Sequence, residues 1–139
     1  MCIFIVMKTY ALRLYSGMDL KEQLLKFTRE KHISAGAIVT CVGSVSVATL
    51  RLADGKTINT FSAVEGYEIC SLVGTLSQDG LHLHMSLADS EGKAFGGHVK
   101  SGCLINATAE IVVCELESMK FSREFDEQTG FQELVIYEE

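Results

Sequence analysis

Leu81-His82-Leu83-His84-Met85-Ser86-Leu87-Ala88-Asp89-Ser90-Glu91-Gly92-Lys93-Ala94-Phe95-Gly96-Gly97-His98 carries three of the four histidines of the chain. Its first half alternates, with Leu81, Leu83, Met85 and Leu87 interleaved with His82, His84, Ser86 and Ala88, the period-2 signature of a half-buried strand. Side chains two apart share a face, and a rise of about 3.3 Å per residue sets the stems of His82 and His84 roughly 6 to 7 Å apart. Asp89-Ser90-Glu91-Gly92 supplies a turn. With Ser90, Glu91 and Gly92 as a three-residue loop, the hairpin register sets His84 opposite His98 and leaves His82 within diagonal reach. A two-residue loop would turn His98 onto the leucine face, and a bulge at Gly96-Gly97 would shift the register by one.

Three imidazoles converging on one point suit a transition metal. Three protein ligands with a fourth place left for water is the pattern of catalytic rather than structural zinc. Without a metal, His82 and His84 read simply as the polar half of an alternating strand.

Gly74-Thr75-Leu76, Leu81-His82-Leu83-His84, Asp89 with Gly92, Gly96-Gly97-His98 and Thr108-Ala109-Glu110-Ile111 follow one another in an order and spacing that resembles the plant-and-prokaryote-conserved domain, also called PPC or DUF296. Upstream, Ala35-Gly36-Ala37, Val42-Gly43-Ser44, Leu50-Arg51 and Tyr67-Glu68-Ile69-Cys70-Ser71-Leu72 agree with it, so the resemblance covers nearly the whole chain from about Met7. It implies an α/β domain that assembles as a homotrimer, with His82, His84 and His98 as its metal-binding unit and a zinc-like divalent ion as cofactor. The family's fold is also similar to that of acetolactate decarboxylase, a zinc lyase, an analogy of fold that transfers no reaction.

With 139 residues, 47% of them hydrophobic and 22% charged, the chain fits one soluble globular domain. Residues 1–6, apolar but short and without a basic start, read as a leader or edge strand ahead of a domain spanning 7–139. No stretch reaches the length of a membrane span. Five cysteines, an odd number without a Cys-x-x-Cys pair, point to reduced thiols in a cytoplasmic compartment, with the nucleus left open. Cys41, Cys70 and Cys114 lie in apolar runs and are expected in the core. The formal charge of −6, with 12 basic against 18 acidic residues, gives no stripe for phosphate backbones and argues against DNA binding by this chain alone. Plant relatives join the domain to AT-hooks; this sequence contains no proline and hence no AT-hook.

Residues 10–15 read as a first strand. Asp19 then caps a helix, with Glu22 reaching back in a capping box and Leu20, Leu24 and Phe27 on one face. His32 falls near its end as a surface or capping residue outside the site. Residues 37–42 and 45–52 read as two strands interrupted by Gly43-Ser44, residues 57–61 and 68–76 as two more, 105–116 as a long buried strand, and 120–125 with 131–137 as a terminal hairpin. The expected fold class is therefore α+β: a two-layer domain in which a bent, largely antiparallel sheet packs on one main helix. So many strands with so little helix leave an edge or face in need of a partner.

Glu68 and Glu110 stand in apolar strands and are candidates to orient the imidazoles or to act as acid or base, with Arg51 as a third candidate; pairing of either carboxylate with Arg51 or Arg13 is the structural alternative. No nucleophile elbow, phosphate loop or dinucleotide fingerprint is present. An enzyme built this way would be a metal-dependent lyase or hydrolase acting on a small oxygen-rich ligand. The alternative is a non-enzymatic oligomeric module that binds protein partners.

Overall fold

Alternating apolar residues make this a chain of strands, as the computed structural model, which describes residues 7–138, bears out. In order the elements are β1 (Lys8–Tyr15), α1 (Leu20–Glu30), β2 (Gly36–Arg51), β3 (Ile58–Ser77), β4 (Gly80–Ala88), β5 (Ala94–Val99), β6 (Leu104–Glu115), β7 (Met119–Asp126) and β8 (Phe131–Glu138). The reading of residues 1–6 lies outside the described residues. Six strands form one antiparallel sheet in the order β1-β6-β2-β3-β4-β5, and β7-β8 is a separate hairpin. The sheet curls until β5 also pairs with β2, through Leu50↔Val99 and Arg51↔His98, so that β2, β3, β4 and β5 close a ring.

One face of this curled sheet is the core. Leu50, Leu83, Met85, Leu87 and Val99 are buried on it with Val45, Ile105, Ile111 and Val113, and each such side chain contributes about 1.5–3 kcal/mol. Helix α1 is 11 residues long and adds Leu20 and Leu24. The expected bent, antiparallel sheet with a single helix is present, but the helix is smaller in the packing than expected: the sheet dominates and covers much of itself. None of the described helices is long and apolar enough to cross a membrane.

Two expected interruptions are absent. β2 runs through Gly43-Ser44, because at Gly43 the Thr108 carbonyl oxygen lies 2.0 Å from where a Cβ would stand. With no side chain there, the strand passes close to β6, and the register shifts between Gly43 and Val45. Likewise β3 is continuous, with an irregularity between the pairs Val47↔Ser62 and Val45↔Tyr67 rather than a break.

The helix start is half as expected. Asp19 Oδ1 accepts from the Glu22 amide at 3.0 Å, but the Glu22 carboxylate accepts from the Ser101 hydroxyl at 2.5 Å instead of reaching back. Asp19 Oδ2 also accepts from the Gly102 amide at 2.5 Å, which ties the helix start to the β5–β6 connection. Asp19→Ala should therefore lower stability by about 1–2 kcal/mol in urea unfolding, the upper range of a cap, because two amides lose their acceptor. His32 is exposed, with φ 55° just past the helix. Cys41 and Cys114 are buried as expected, whereas Cys70 is exposed: in an alternating strand its neighbour Ile69 takes the core side. Cys103 is buried as well.

Candidate metal centre and adjoining cavity

The β4–β5 turn fixes the histidine register. Asp89 pairs with Lys93 through its backbone amide, its Oδ1 accepts from the amides of Glu91 and Lys93, and Gly92, at φ 78°, closes the three-residue loop on the Asp89 carbonyl. His84 then stands directly opposite His98, and no shift occurs at Gly96-Gly97. Directly opposed residues share a face. Arg51 on β2, His98 on β5, His84 on β4 and Val73 on β3 thus form one row across four strands, with the pair Thr75–His82 beside it. Leu83 and Met85 point the other way, into the core.

The three rings meet. Centroids are 5.0 Å apart for His82–His84 and His82–His98 and 5.5 Å for His84–His98. One nitrogen from each ring lies within 4.8 Å of the others, and His82 Nε2 is 3.2 Å from His84 Nε2. Two nitrogens each bound at 2.0–2.1 Å to a tetrahedral ion stand about 3.3 Å apart, so this pair is already at coordination spacing. His98 Nδ1 is buried without a hydrogen-bond partner, a deficit of about 1–3 kcal/mol that an ion or ligand would relieve. Three imidazoles with the exposed His84 on the open side fit a borderline divalent cation.

Electrostatics favour the form a metal needs. Burial, then the positive charge of Arg51, pushes the His98 imidazole down to about 4, and burial, then His84 and Arg123, lowers His82. Both rings are thereby held neutral, as coordination requires. For His98 the folded value lies below the ordinary 6.5, so the unfolded chain takes up this proton first on acidification. Its contribution to stability is full above pH 6.5 and is lost as pH falls from there through about 4. The urea midpoint of metal-free protein should fall across this window, and His98→Asn should make the decline shallower.

A cavity of about 570 Å³ opens beside the triad, lined by His82, His98, Arg51, Arg123, Phe131 and Glu133. Arg123 Nη2 donates to Thr75 Oγ1 at 2.6 Å, and the Arg51 guanidinium lies 4.7 Å from the centre of the Phe131 ring. The terminal hairpin, anchored at its base by the Phe121 amide on the Ser34 carbonyl, therefore forms one wall.

Of the carboxylates singled out in the sequence, neither joins this constellation. Glu68 is exposed and opposite Ala88, four residues along β4 from His84, or about 13 Å at strand spacing. Glu110 is exposed on β6 opposite Arg13, whose Nε donates to Thr108 Oγ1 at 2.9 Å. Arg51 alone of the three weaker candidates lies at the triad. Arg123, Phe131 and Glu133 escaped the sequence reading. A signal was present for Arg123: it shares the parity of Phe121 on β7, which is buried, and so lies on the side of that strand turned to the sheet.

A small antiparallel β domain with an imidazole triad on the outer side of a closed ring defines a class of candidate metal-binding proteins. Within it the chain belongs to the Plants and Prokaryotes Conserved domain family, whose model matches residues 4–117. A hypothetical protein from Salmonella cholerae-suis is 34% identical with a TM-score of 0.91, over 98% of this chain and 97% of that one. A metal-containing protein from Archaeoglobus fulgidus is 32% identical with a TM-score of 0.76, over 92% and 93%. A candidate DNA-binding protein from Bacteroides thetaiotaomicron is 29% identical with a TM-score of 0.80, over 91% of each chain. Among curated proteins, the bifunctional protein GlmU of Synechococcus sp. (strain JA-3-3Ab) is 45% identical over 130 residues, 94% of this chain but 21% of that protein. The chain thus spans about a fifth of the length of the curated relatives it matches.

Proposed function

We propose that this chain is a metal-binding member of its family, in which His82, His84 and His98 hold one divalent ion of zinc-like chemistry beside a pocket for a small oxygen-rich molecule. The observation that carries this is the approach of three ring nitrogens to within 4.8 Å of one another from two neighbouring strands. The description of the Archaeoglobus relative as metal-containing supports it. An ion held there supplies Lewis-acid character, polarising a carbonyl oxygen or acidifying a water, as a lyase or hydrolase requires. The residues of the chain do the rest: the imidazoles fix the ion's position, and Arg51 and Arg123 set a positive field at the cavity. The homotrimer that the family resemblance implies is part of the proposal. Val42 and Val73, 63% and 55% exposed, are apolar side chains in the sheet that a neighbouring subunit would cover.

A second reading, a non-enzymatic oligomeric module for protein partners, is favoured by the placing of Glu68 and Glu110, the two carboxylates expected as acid or base, in exposed positions away from the triad. Direct contact with DNA is opposed by the charge of −6. Elemental analysis and light scattering on one preparation, purified without a histidine tag, separate the readings. Stoichiometric divalent metal supports the first. A metal-free oligomer that takes up no zinc on dialysis overturns it in favour of the second.

A further inference from the structure

The cavity between the triad and the terminal hairpin brings together two guanidinium groups from different sheets. Arg51 comes from β2, at the point where the ring closes, and Arg123 comes from β7. Among the described residues no carboxylate lies within ion-pair distance, 4.0 Å, of either group. Arg51 Nε is buried and has no hydrogen-bond partner, while its cationic face is covered by Phe131. Guanidinium forks match the geometry of carboxylate and phosphate oxygens. Both arginines line the cavity, and the unpaired Arg51 Nε shows that the cation is not saturated by groups of the chain itself, so such an oxygen would sit there.

We propose that this cavity is an oxyanion subsite, in which Arg51 and Arg123 bind the carboxylate or phosphate of a small molecule whose other end reaches the histidine triad. Its volume, about 570 Å³, lies within the range of small-ligand pockets. Two acidic residues also line it. Asp79 is exposed, in the turn between β3 and β4, and belongs to the rim. Glu133 is half-buried on β8, next to Leu134, which pairs with Arg123, and it lines the cavity without forming an ion pair with that arginine. Its charge opposes an oxyanion, so neutralising it strengthens binding. The subsite rests on the metal reading only for what the far end of the ligand meets; the two arginines stand without it.

The test is isothermal titration of the full chain with inorganic phosphate and with malonate at constant ionic strength, before and after zinc loading. One of these probes should bind, and Arg123→Gln should weaken it about tenfold or more, with zinc content unchanged. Glu133→Gln should tighten it. Arg51→Gln should act as Arg123→Gln does; because Arg51 also closes the ring, Arg123→Gln on the peripheral hairpin is the deciding variant. Tighter malonate binding identifies a carboxylate ligand, tighter phosphate binding a phosphate ester. Binding of neither probe below about 10 mM, or equal binding by Arg123→Gln and the unaltered chain, overturns the subsite. Probe binding by protein that takes up no zinc keeps the subsite and sinks the metal reading; zinc uptake without probe binding does the reverse.

Discussion

Replacing His82, His84 and His98 together by alanine should reduce bound divalent metal from about one ion per chain to none, by elemental analysis of untagged protein. The rings supply the three nitrogens gathered at the site, and no carboxylate among the described residues joins them there. His84→Ala is the cleanest single change. His84 is exposed, so its loss leaves the core intact, yet its Nε2, 3.2 Å from that of His82, is half of the closest donor pair. Affinity should fall by more than the roughly 10–100-fold that changes behind the ligands cost, while the urea midpoint scarcely moves. Unaltered metal loading in the triple variant would show that the ion sits elsewhere, and a metal-free unaltered chain would end the proposal outright.

Gly74→Ala should be among the most damaging single substitutions. Gly74 lies on β3 opposite Leu83, and a Cβ there would fall 2.0 Å from the His82 carbonyl oxygen and 2.9 Å from the Leu83 Cα. Backbone cannot step aside as a flexible side chain can, and φ of 157° adds strain for any residue with a Cβ. The expected cost is on the order of 3 kcal/mol or more, read from urea unfolding. Metal affinity should fall with it, because the displaced segment carries His82. If Gly74→Ala unfolds at the same urea concentration as the unaltered chain, β3 and β4 are not packed this closely.

Much of the candidate site could be read from the sequence because it is local. Asp89 and Gly92 specify the loop, the loop specifies the register, and the register brings His98 to His84 within a single hairpin. What escaped depends on long-range closure. The pairing of Arg51 with His98 needs the sheet to curl until β5 meets β2, and nothing near either residue announces that curl. Arg123 reaches Thr75 across 48 positions of sequence. Glycines misled in a consistent way: Gly43 looked like a break because local signals cannot tell a turn from a place where another backbone passes close by. Glu68 and Glu110 looked buried because apolar neighbours surround them in sequence, but alternation sends those neighbours to the core and the carboxylates to solvent.

In the closed ring, β4 is flanked on both sides by β3 and β5, and β5 pairs along β4 and, at His98 and Val99, with β2, so both strands that bear histidines are held from two sides before any ion arrives. The three imidazoles are gathered by folding itself, unlike the ligands of small zinc modules that remain random coil until metal organises them. A chelator should accordingly strip the ion and leave an empty but intact scaffold, ready to reload.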